Sequence, residues 1–81
     1  MALGPEERAA LKTQIYDQYR RQPESTLYIG LELALRGLEI SRKQLDANLL
    51  EWDDYVRLKG HYNATAHGVL AAFEERGWTP G

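Results

Sequence analysis

The chain has 81 residues, 43% hydrophobic and 27% charged, with no cysteine and a formal net charge of −2. That length fits one small domain, residues 1–81, able to hide about two-thirds of its unfolded surface at best. The lack of cysteine excludes disulfides, thiolate zinc sites, iron–sulfur clusters and a Cys nucleophile. Ten Lys and Arg against twelve Asp and Glu hold phosphate poorly.

The N-terminus, Met1 to Glu7, has neither a basic nor an apolar targeting region. The longest nearly apolar run, Leu27 to Leu35, is interrupted by Glu32 and too short to span a bilayer. The expectation is a cytoplasmic protein without a membrane partner. The sequon Asn63-Ala64-Thr65 is idle without secretion.

Periodicity and end signals predict an all-α fold, a compact bundle of about four short helices over 5–21, 25–36, 41–59 and 64–76. In the first, Pro5 suits the opening position and Glu6 and Glu7 suit the positive end of the dipole. Leu11, Ile15 and Tyr19 form one narrow apolar stripe. Pro23 ends this segment.

Ser25 reads as the N-cap of the second helix. Leu27, Leu31, Ala34 and Leu35 share one face, Ile29 and Leu33 lie nearly opposite, and only Glu32 and Arg36 make a polar strip. A helix apolar almost all round is expected at the centre of a bundle. Gly37 reads as its left-handed stop.

Ser41-Arg42-Lys43-Gln44 reads as a capping box opening the third helix, with Ile40 and Leu45 as its hydrophobic staple. Leu45, Leu49, Trp52 and Val56 make its main stripe, Ala47, Leu50 and Leu58 a thinner second line, and Gly60 its end. In the fourth helix Ala66, Val69, Leu70 and Phe73 face the core. Gly77 stops it, Trp78 closes onto Phe73 and Pro80 prevents resumption. No segment alternates as a strand does. Two small-residue triplets, Thr26/Gly30/Ala34 and Ala64/Gly68/Ala72, predict close packing of the second helix on the fourth.

Chemistry finds little to work with. His61 and His67 lack the i, i+4 spacing of a shared helical metal face, Asp53 and Asp54 diverge by about 100°, and no Gly-rich phosphate loop is present. The expectation is a protein that is not an enzyme and has no cofactor and no metal. The second helix, Gly37 and the capped third helix have the outline of a helix-turn-helix, with Arg42, Lys43, Gln44 and Asn48 of types that reach phosphates and base edges. Against it, residues 24–60 carry seven acids and five bases, and Asp46, Glu51, Asp53 and Asp54 fall on the helix that would enter the groove.

The apolar surplus favours a different class. A chain this small without covalent staples gains from association. Ile29 and Leu33 with Ala47, Leu50 and Leu58 provide second apolar faces, and Tyr16 beside Arg20 is a pairing common at interfaces. The first reading is therefore a small protein-binding module, an adaptor, assembly subunit or inhibitor of a larger protein, that forms a homodimer. The alternative is a DNA-binding transcriptional regulator.

Overall fold

A computed structural model describes residues 4–77 of the chain. Among them every regular element is a helix: α1 Pro5–Tyr19, α2 Glu24–Asp46 and α3 Trp52–Glu75. The all-α class stands, but three helices replace the expected four. The break expected at 37–40 is absent, since α2 runs through it. The segment expected as one helix over 41–59 is cut at Ala47–Glu51, and the turn expected after Gly60 lies inside α3.

Each difference has a local cause. Gly37 serves close approach in place of termination: a Cβ there would run into the Tyr62 ring of α3. Ser41 does not cap a helix. It is buried, and its hydroxyl donates to the Gly37 carbonyl at 2.7 Å, a back-bond that lets a serine sit inside a helix. Thr13 and Thr65 do the same to Ala9 and His61. The stop that closes α2 is Asn48, at φ 61°. Its N–H donates to the Leu45 carbonyl at 3.1 Å and that of Leu49 to Gln44 at 2.9 Å, the paired bonds of a Schellman ending. Glu51 is extended and α3 begins at once, with Asp53 and Asp54 in its first turn.

The other ends follow the sequence reading more closely. Gly4 is extended, Pro5 opens α1, and Glu6 and Glu7 occupy its first turn. Pro23, at φ −59° and ψ 153°, separates α1 from α2. Gly77, at φ 83°, follows α3 as the left-handed stop. The expected closure of Trp78 on Phe73 lies outside the described residues.

The middle position belongs to α3, and α1 and α2 both pack on it. This corrects the expectation that the most apolar helix would be central. Lys12 and Ile15 meet α3 at Gly68, while Tyr16 reaches Glu75, so α1 runs in the same direction as α3. Tyr28 lies 4.9 Å from Phe73 between ring centroids and Gly37 sits beneath Tyr62, so α2 runs the opposite way. The small-residue triplets do not face each other. The groove at Gly68 receives Ile15 and the Lys12 backbone, and that at Gly30 receives the Tyr19 ring, so both hold α1.

Leu27, Val69, Ala72 and Phe73 form the main core, with Ile15, Tyr16, Tyr19 and Leu31 packed around it. All lie where the second half of α1, the start of α2 and the end of α3 meet. At 1.5 Å per residue α1 spans about 22 Å, whereas α2 and α3 span about 35 Å each. The hairpin of α2 and α3 therefore continues well past α1, with Ser41 and Tyr55 buried in that extension.

Candidate protein-docking surface

Because α3 lies in the middle, α2 has only one covered side. Leu27, Gly30, Ala34, Gly37 and Ser41 line that buried side. Ile29, Leu33 and Ile40 fall within about 40° of one another on the helix, well away from it, at about 100° per residue. They are 56%, 61% and 54% exposed. Leu35, 53% exposed, and Tyr28 lie on the other flank, next to half-buried Leu31 and Leu38. Scattered exposed apolar residues are ordinary, whereas these are aligned on one helix, which makes them a candidate surface.

A string of charges borders the line of Ile29, Leu33 and Ile40. Arg36 Nη2 is 2.8 Å from Glu32 Oε1 and Lys43 Nζ is 3.2 Å from Glu39 Oε1, each an i, i+4 pair with the acid first, the favourable order. Exposed pairs of this kind add little to stability. Their arrangement along the surface is the informative part: acid, base, acid, base.

The remaining residues singled out by sequence are dispersed. Ala47 is the exposed C-cap of α2, Leu50 is half-buried in the following turn and Leu58 is half-buried on α3, so they do not form a line on one helix. Arg42, Lys43 and Gln44 belong to the end of α2, and Asn48 is its left-handed stop, so the outline of a helix-turn-helix at 25–59 is not present. Arg42 Nε is 3.4 Å from Asp46 Oδ1, and the Tyr55 hydroxyl first and then Asp46 raise its pKa further. His61 and His67 are exposed on α3, and among the described residues no group of three or more metal-ligating side chains assembles. Nor is any helix among them long and apolar enough to cross a membrane.

Tyr16 and Arg20 have an intrachain role that sequence did not disclose. The Tyr16 hydroxyl donates to Glu75 Oε2, Arg20 Nη2 lies 3.3 Å from Glu75 Oε1, and the Arg20 guanidinium stands 5.5 Å over the Tyr16 ring. Next to them, Arg76 donates to the carbonyls of Arg20, at 3.0 Å, and Gln22. A cation thus sits at the negative end of α1 and ties it to the end of α3. The signal available in sequence was the run Glu74-Glu75-Arg76, but only the parallel course of α1 and α3 brings it to Tyr16 and Arg20.

The hydrogen bond to Glu75 is the main cause of a raised Tyr16 pKa, followed by burial, with Arg20 opposing. The neutral phenol is therefore favoured by folding. Its contribution is complete below the ordinary tyrosine value of about 10 and is lost as pH rises through the raised value. Glu75→Ala is expected to bring Tyr16 back toward the ordinary value in an NMR titration of its ring. An unchanged Tyr16 midpoint in that variant would disprove the assigned cause.

Comparison with family models, with curated proteins and with solved structures gives no match.

Proposed function

We propose that this protein is a small non-enzymatic protein-binding module whose docking surface is the open side of α2. The observation that carries this reading is the alignment of Ile29, Leu33 and Ile40, each more than half exposed, on a helix whose buried side is already occupied by α3. Leaving these three branched aliphatic side chains more than half exposed forgoes roughly half of the 1.5–3 kcal/mol that full burial of each contributes. A partner that covers them recovers much of that. The surroundings also fit a docking site: a rim of charges around an apolar line resembles the rim and centre of a protein interface. The depression bounded by Asp17, Gln18, Tyr19, Arg21, Gln22 and Thr26 is lined mainly by polar and charged side chains.

A photo-cross-linking amino acid placed at Leu33 tests the reading in extract of the native host. A discrete protein adduct is expected from position 33 and none from Gln14, which is exposed on α1. Equal labelling from both positions, or none from either, rejects α2 as the docking surface.

A further inference from the structure

We infer that the partner on the open side of α2 is a second copy of this chain, laid antiparallel about a twofold axis near Gly37 and Leu38. The inference rests on the docking surface proposed above and names its occupant. It is carried by the order of charges beside Ile29, Leu33 and Ile40. Glu32, Arg36, Glu39 and Lys43 alternate in sign along one side of α2, and the structure shows all four exposed and on the same strip.

A string that reads acid, base, acid, base from one end reads base, acid, base, acid from the other. Two antiparallel copies related by a twofold axis bring the same flank of each helix together. With the axis between residues 37 and 38, Glu32 faces Lys43 of the second copy, and Arg36 faces Glu39 of the second copy. The axis repeats both pairings, so all four positions of each helix meet the opposite charge. In a parallel twofold pair the charged flanks of the two helices lie on opposite sides of the seam, so none of these pairings forms. A slip of two residues in the axis position brings Glu32 opposite Glu39 of the second copy. The charge order thus selects both direction and register, as charges flanking a helical seam do in coiled coils.

The apolar line agrees with this register. Leu33 lies within about 3 Å of the level of Ile40 of the second copy, and Ile40 is likewise near Leu33 of the second copy, at 1.5 Å per residue. Ile29 falls beside the aliphatic stem of Lys43 of the second copy, whose ammonium continues outward to the acidic partner. No side chain of the chain's own core is needed for the contact, because Leu27, Gly30, Ala34, Gly37 and Ser41 lie on the buried side of α2.

Sedimentation equilibrium of the whole chain, with charge-altered variants, tests the assignment. At tens of micromolar the unaltered protein is expected at twice its 9.3 kDa chain mass. Glu32→Lys with Glu39→Lys makes the string wholly basic, and Arg36→Glu with Lys43→Glu makes it wholly acidic. Each is expected to dissociate at least tenfold more readily, with helicity retained by circular dichroism. Mixing the two is expected to restore a dimer containing one of each. Reversing all four charges together is expected to restore self-association, because the reversed string is again complementary to itself. A monomeric unaltered protein at several hundred micromolar overturns the inference, as does a dimer that the wholly basic variant leaves intact. The Leu33 cross-link separates the two readings. An adduct with a different protein, from a chain that sediments as a monomer, upholds the docking surface and rejects the second copy. A monomer with no adduct rejects both.

Discussion

Phe73→Ala is expected to leave the protein close to unfolded at room temperature. The ring is 1% exposed and sits in the one cluster where all three helices meet, against Leu27, Val69 and Ala72 and beside Tyr28. Truncating a buried Phe costs about 3–5 kcal/mol through lost transfer free energy and the cavity left behind. A domain of this size has on the order of 4–12 kcal/mol in total. The midpoint of thermal unfolding should fall by about 15–30 °C, read by circular dichroism. A fall of less than about 5 °C would mean that Phe73 is not at the centre of the core. Few neighbours can fill the space, because Ala72 is short and Leu27 and Val69 are already fully enclosed.

The second large effect is expected at Gly68. Alanine there gains about 1 kcal/mol of helix propensity, which alone would stabilise α3. The added methyl, however, would stand 2.7 Å from Ile15 Cβ and 2.8 Å from the Lys12 carbonyl oxygen. A backbone atom cannot turn aside, so α1 must shift as a whole, at an overpacking cost of about 1–3 kcal/mol. The net expectation is a loss of up to about 2 kcal/mol, seen as a lower urea midpoint with unchanged slope. Gly30→Ala is the control. Its methyl would meet only the outer edge of the Tyr19 ring, at 2.6 Å from Cε1, and a ring on a rotatable side chain can give way. That variant should be near neutral. Should Gly68→Ala instead show the full propensity gain, α1 cannot lie in the groove at Gly68.

These two positions also show where sequence was informative. Phe73, Val69 and Ala66 were expected in the core from their helical spacing, and they are buried. The starts and stops at Pro5, Pro23 and Gly77 were legible because each acts through its own backbone. The errors came from residues whose commonest local meaning did not apply. Gly37 looked like a stop, yet its missing side chain makes room for Tyr62. Ser41 looked like a cap, yet it bonds back to Gly37. Asn48 looked like a polar group available to a ligand, yet it supplies the left-handed residue that ends α2.

The candidate surface was partly legible for a related reason. Periodicity showed that α2 carries more apolar residues than one buried face requires. It could not show that a second helix of similar length, α3, would take the central place and leave Ile29, Leu33 and Ile40 uncovered. The intrachain contact of Tyr16 and Arg20 was not legible at all. Their partner, Glu75, is 59 residues from Tyr16 in the chain, and no local pattern announces it.

The largest fully enclosed side chains, Phe73, Leu27 and Val69, lie at one end, which makes each molecule a cantilever. The base is clamped where α1, α2 and α3 converge on Phe73, and the beam is the pair of long helices that continues past α1 toward Ala47–Glu51. Ile29 lies over the clamp and Ile40 over the beam. In the antiparallel pair, the clamped part of one copy therefore runs alongside the unsupported part of the other. Each molecule acts as a splint for its mate. Association would stiffen the two turns at the free ends without adding a single residue to either core.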